Sequence, residues 1–129
     1  MLVADASVIA PAVADAGSDG QRYRRRLRHQ QIAAPDLLRI EVFSVLRRQL
    51  RMGAINNAEA TAATEDLLDL PMIIYPTAPL LRRGWELRDN FTAYDACYVA
   101  LAEVLDCGLL TADVKMSRPS DSRCDIEVI

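Results

Sequence analysis

Histidine is nearly missing from this 129-residue chain: His29 stands alone, next to Arg28 in a polar stretch. Without a second histidine there is no pair for acid–base work. Neither Ser7 nor Ser44 lies in a GxSxG elbow, so a Ser-His-Asp triad has no frame either. His29 reads as a surface residue. Glycine is scarce, and the spacing of Gly17, Gly20, Gly53, Gly84 and Gly108 makes neither a Walker loop nor a dinucleotide fingerprint. Nucleotide cofactors therefore lack their usual cradle. The three cysteines, Cys97, Cys107 and Cys124, are odd in number and without CxxC spacing, which argues against a disulfide framework or a zinc site. Cys97 and Cys107 read instead as small core residues. No apolar run approaches the ~18 residues of a membrane span, and the amino terminus opens directly on Leu2-Val3-Ala4-Asp5 rather than on a basic segment followed by a long apolar one. These absences predict a soluble cytoplasmic protein without a membrane partner.

What is present suits one α/β domain over residues 1–129. Half the residues are apolar, enough for a modest core. Short apolar runs predict strands at 2–5, 32–34, 72–75, 108–112 and 126–129. Helical patterns predict helices at 7–15, 20–29, 36–52, 57–69, 79–89 and 94–106. Pro35 is expected to start the long third helix and Gly53 to stop it, with Asn56 or Asn57 opening the next. Residues 114–125 are expected to form a loop. Strands alternating with helices predict a mainly parallel central sheet of about five strands, flanked by helices on both faces.

Acids occur in unexpected places along this frame. Asp5 closes the first strand and Asp113 closes Gly108-Leu109-Leu110-Thr111-Ala112, so both lie at carboxyl ends of strands, where open α/β sheets bind ligands. Glu41 shares a helical stripe with Leu38 and Val45, and Asp95 sits in the first turn of a helix with the stripe Tyr94, Tyr98, Leu101 and Leu105. Singly, each has an ordinary structural reading. Asp5 suits an Asx-turn or a helix cap, Thr92-Ala93-Tyr94-Asp95 matches a capping box, Asp113 is a plausible loop acid, and Glu41 can lie at the solvated margin of its stripe. Together they can converge on one crevice, where carboxylates repel one another unless a cation binds or protons are taken up. Oxygen donors of this kind prefer Mg2+ or Mn2+.

Charge is segregated. Residues 20–51 carry nine arginines against Asp36 and Glu41, while the remainder holds six bases against sixteen acids. Arg22, Arg24, Arg25, Arg26 and Arg28 form one cluster, and Arg47, Arg48 and Arg51 another. Arginine pairs its fork with phosphate oxygens, so a polyanionic partner fits; a solvated helix face accounts for the same pattern.

The chain resembles the PIN-domain ribonucleases, specifically the VapC-type toxins of bacterial toxin–antitoxin pairs. The resemblance is carried by Val3-Ala4-Asp5-Ala6-Ser7-Val8-Ile9, by Pro35-Asp36-Leu37-Leu38 with Glu41 and Val45-Leu46, and by Leu87-Arg88-Asp89. Its most specific blocks are Thr92-Ala93-Tyr94-Asp95-Ala96 with Tyr98-Val99-Ala100-Leu101-Ala102-Glu103, then Leu109-Leu110-Thr111-Ala112-Asp113 with Lys115. It implies that Asp5, Glu41, Asp95 and Asp113 are the catalytic, metal-binding acids, supported by Ser7 and Thr92. Asp5 and Asp95 would be direct ligands, Asp113 a ligand directly or through water, and Glu41 a water-orienting residue or second-metal ligand. Ser44 stands where the family often has asparagine, and Met116-Ser117 lack a further acid that some members carry. The implied activity is Mg2+- or Mn2+-dependent hydrolysis of RNA, leaving a 5′-phosphate and a 3′-hydroxyl. The implied partners are the RNA substrate, a small cognate antitoxin and a second copy in a homodimer, with the helices at 36–52 and 57–69 as candidate docking surfaces. A degenerate PIN domain acting as a non-catalytic binding module is the alternative. A phosphoacceptor receiver module is a further one, since it too combines this length, an α/β sheet and strand-end acids with magnesium.

Overall fold

A computed structural model describes residues 1–118 and 121–129. Its elements follow in chain order: β1 (Leu2–Ala4), α1 (Ala6–Ala14), α2 (Ser18–Leu27), β2 (Ile32–Pro35), α3 (Leu38–Arg51), α4 (Asn57–Asp69), β3 (Met72–Tyr75), α5 (Leu81–Glu86), α6 (Ala93–Val104), β4 (Gly108–Thr111) and β5 (Ile126–Val128). The five strands form one sheet in the order β3-β2-β1-β4-β5, and every pairing is parallel. The α/β class and the parallel sheet expected from the alternation are thus present. A receiver-type sheet runs 2-1-3-4-5, so this strand order removes the phosphoacceptor alternative.

Connection geometry explains where a site can form. From β1 to β2 to β3 the chain steps one way across the sheet; from β3 to β4 it crosses back past β2 and β1. Right-handed crossovers put α1 to α4 on one face and α5 with α6 on the other. The reversal falls between β1 and β4, paired at Leu2 with Gly108 and Ala4 with Leu110, and leaves a crevice beyond their carboxyl ends. The core lies under α1 and α6. Residues 96–102 of α6 are all buried, as are Val3, Ala4, Leu109 and Leu110 in the central strands.

Several boundaries differ from expectation for local reasons. Pro35 does not start α3: it closes β2 opposite Tyr75, and the Asp36 N–H continues that ladder to the Tyr75 carbonyl at 2.8 Å. Helix α3 opens only at Leu38. Gly53 adopts φ +74°, the left-handed stop that glycine tolerates best. Helix α2 begins at Ser18 and ends before His29, an exposed residue with φ 64°. The predicted helix 79–89 is a 3₁₀ turn at Ala78–Leu80 followed by α5, which stops at Glu86. Tyr94 is 60% exposed and lies outside the buried face of α6. In the expected loop 114–125, Val114–Ser117 form a 3₁₀ turn, and residues 119–120 lie outside those described. Cys97 is buried and Cys107 half-buried.

An ion-pair knot holds the α5–α6 side together. Arg83 donates to Glu103 at 2.7 and 3.2 Å, to Glu86 at 2.8 Å and to the Asp121 carbonyl at 2.7 Å, while the Arg123 N–H also reaches Glu103 at 2.8 Å. Burial alone would push the Glu103 carboxyl up, but the Arg83 and Arg123 hydrogen bonds outweigh it and hold it below its ordinary 4.5. A depressed folded value gives stability that is present above 4.5 and lost as pH falls through the lower folded value. Glu103→Gln should therefore cost about 2 kcal/mol at neutral pH and flatten the acid limb of the stability curve. Urea titrations from pH 7 to pH 3 check this; an unchanged acid limb in the variant refutes it.

Candidate active site

Each expected acid reaches the crevice from a different element. Asp5 leaves β1 and caps α1: its Oδ1 accepts from the Ser7 N–H at 3.0 Å and the Ser7 hydroxyl at 2.5 Å. Its Oδ2 accepts from the Thr111 hydroxyl at 2.5 Å. At 5% exposure the carboxyl is pushed up by burial, opposed by the Ser7 and Thr111 hydrogen bonds, and pushed further by the charge of Asp95. The cap role and the crevice position therefore coexist at Asp5.

Asp113 follows β4 and caps the 3₁₀ turn by accepting from the Lys115 N–H at 2.9 Å. Asp95 stands in the first turn of α6, where the Thr92 hydroxyl accepts its N–H at 3.1 Å. Burial raises its carboxyl, Thr92 opposes this, and the Asp113 charge adds to it. Glu41, half-buried in the first turn of α3, accepts from the Tyr98 hydroxyl at 2.6 Å. Burial raises it as well, against the Tyr98 bond, with Asp95 and Asp5 adding repulsion. The same surroundings push the Tyr98 hydroxyl far up, so it stays a donor.

All four acids line one cleft of about 450 Å³, together with Ser7, Tyr98 and Arg48. Among the described residues no three acidic, histidine or cysteine groups are drawn together closely enough to hold a metal ion as they stand. The donor set nonetheless fits a hard cation, because the acids in the lining are carboxylates, with hydroxyls but no imidazole or thiolate beside them. Mutual repulsion and partial burial leave these acids in need of a counter-charge.

Three further residues belong to the site beyond the acids that the sequence singles out. Thr111 is fully buried; it donates to Asp5, accepts from the Asp113 N–H at 3.1 Å, and so links two of the acids. A β-branched residue at a strand end fits the strand pattern, so its hydroxyl gives no separate signal in the sequence. Tyr98 fits an apolar stripe in the sequence, although its spacing of three from Asp95 puts it on the same helix face. Arg48 stands in the sequence as one of a cluster, although it lies seven residues from Glu41 on one face. The clustered arginines part company in space. Arg24 donates to the Ala12 and Asp15 carbonyls at 3.0 and 2.7 Å, and Arg26 pairs with Glu127 at 2.6 Å.

Comparison with known proteins identifies the family of the fold. The PIN-domain family model matches residues 2–121. Ribonuclease VapC9 of Mycobacterium tuberculosis is 38% identical over 129 residues, covering 100% of this chain and 98% of that protein. Among solved structures, Mycobacterium tuberculosis VapC20, a sarcin-ricin loop cleaving toxin, superposes with a TM-score of 0.71 at 16% identity, covering 91% of this chain and 93% of its own. VapBC2 from Rickettsia felis, bound to a DNA fragment from its promoter, superposes with a TM-score of 0.65 at 14% identity, covering 99% and 98%. The chain belongs to the PIN-domain family and, within it, to the VapC type.

Proposed function

We propose that this chain is an endoribonuclease acting as the toxin of a toxin–antitoxin pair, and that it works through Mg2+ or Mn2+ held by Asp5, Glu41, Asp95 and Asp113. The observation that carries the reading is the convergence of four carboxylates on one cleft at the sheet's reversal point. Full-length likeness to proteins named ribonucleases supports the reaction.

When bound, such a cation supplies a water made nucleophilic near neutral pH and positive charge against the phosphoryl oxygens. The residues do the positioning. The Ser7 and Thr111 hydroxyls fix Asp5, the Thr92 cap fixes the backbone of Asp95, and the Tyr98 hydroxyl turns Glu41 to accept a proton from the attacking water. Water oxygen joins phosphorus as its proton passes to Glu41, the bond to the 3′-oxygen breaks, and that oxygen takes a proton from solvent water, while Glu41 returns its proton to solvent. The products are a 5′-phosphate end and a 3′-hydroxyl end.

The partner side of the reading is a small antitoxin, in keeping with the VapBC2 assembly, and a homodimer in the cytoplasm. Among the described residues no helix is long and apolar enough to cross a membrane. A groove between α3 and α4, with Phe43, Leu46, Arg47 and Leu50 on one side and Ala60 and Thr64 on the other, is the surface assigned to the antitoxin. Incubating the protein with end-labelled total RNA should give 5′-phosphate fragments in Mn2+ or Mg2+ and none with EDTA. Binding without any cleavage in either cation would favour the non-catalytic module instead.

A further inference from the structure

The face of α3 that brings Glu41 into the cleft continues past the acids. Val45 lies one turn on, and Arg48 with Gln49 another turn further, all lining the same cleft. Seven residues of helix put the Arg48 backbone about 10 Å along the axis from that of Glu41. The cleft is thereby divided by charge, with four carboxylates at one end and a guanidinium at the other.

Among the described residues Arg48 is the only cation lining this cleft. It is exposed and takes no part in the ion pairs centred on Arg26 and Arg83. Its neighbour Arg47 faces the α3–α4 groove instead. A guanidinium that shares a cleft with four acids, yet is paired with none of them, is available to an anion entering there. Ala10, Pro11 and Val45 make the cleft floor between the two ends apolar, which suits a ribose or base better than a phosphate. Pro11 and Gln49 also border the adjoining depression beside the α1–α2 and α3–α4 turns, so the groove runs on beyond Arg48.

We propose that Arg48 is the substrate-positioning residue of this site. Its fork holds a backbone phosphate neighbouring the one hydrolysed, and so sets the RNA strand's course from the acids along α3 toward the α3–α4 turn. The inference rests on the ribonuclease reading above.

The test uses Asp5→Asn protein and a short fluorescein-labelled single-stranded RNA of mixed sequence, with anisotropy read across a salt series. Adding Arg48→Ala should weaken binding about tenfold and reduce the slope of log K against log salt by about 0.7, one single-strand phosphate contact. In the otherwise native enzyme Arg48→Ala should raise KM about tenfold and leave kcat within about twofold. Arg48→Lys should recover the salt slope but only part of the affinity, since an ammonium cannot pair two phosphate oxygens as the fork does. Arg82→Ala, on α5 and outside the cleft, should match its parent. An unchanged slope and KM in Arg48→Ala overturns the proposal, and so does a fall in kcat at constant KM. If the native protein fails to cleave RNA in Mn2+, the ribonuclease reading falls, while the binding series still decides for or against Arg48.

Discussion

Asp5→Asn and Asp95→Asn should each lower cation-dependent RNA cleavage on the order of a thousandfold, with the fold left standing. The expected loss is large because each change removes negative charge where the cleft gathers it. Asparagine keeps nearly the same shape at position 5 and can still accept from Ser7; its amide nitrogen would face the Thr111 hydroxyl, which can turn to accept. The cap on α1 survives for the same reason. Removing an acid that burial and the Asp95 charge already push up should leave the cation-free protein at least as stable as before. Cleavage rates with the melting temperature of each variant separate chemistry from folding. Full activity in either variant would end the assignment of that residue.

Adding Mg2+ or Mn2+ to the cation-free protein should raise its melting temperature. An ion at a hundred times its dissociation constant contributes about 2.7 kcal/mol, on the order of 10 °C for a chain of this size. Asp5, Glu41 and Asp95 are all pushed above their ordinary values by burial first; the charge of Asp95 adds to this at Asp5, those of Asp95 and Asp5 at Glu41, and that of Asp113 at Asp95. A carboxylate raised in the folded state costs stability once ionised. The cost is absent below the ordinary carboxylate range and fully felt above the raised values. A bound cation offsets it at neutral pH, and its effect should shrink on acidification as protons take its place. Scanning fluorimetry with and without EDTA reads the shift. An equal shift in the Asp5→Asn, Asp95→Asn double variant would place the ion elsewhere.

Local chemistry was legible and distant chemistry was not. Asp5, Glu41, Asp95 and Asp113 could be picked out because each departs from the pattern of its own segment, and strand-end acids have a known crevice to point into. Pro35 misled because its ring suits a helix start, whereas its actual place follows from pairing with β3, a contact no local window contains. Tyr94 misled because helical spacing gives a stripe without saying which neighbours cover it. The bond from Thr111 to Asp5 joins residues 106 apart in sequence, and it exists only because β4 returns to lie beside β1. The arginine cluster divided in space for the same kind of reason, with Arg26 spent on Glu127 at the far end of the chain.

The return of β4 to β1 also bears on biosynthesis. A growing chain exposes Asp5 first, Glu41 next and Asp95 later, and only after all three come β4 with Thr111 and the Asp113 that follows it. Until it leaves the ribosome, Asp5 lacks its buried partner and the cleft lacks a wall. Polypeptides released by interrupted translation anywhere before residue 108 therefore lack Thr111, Asp113 and the strand that holds Asp5 in place, however much of the rest has been made.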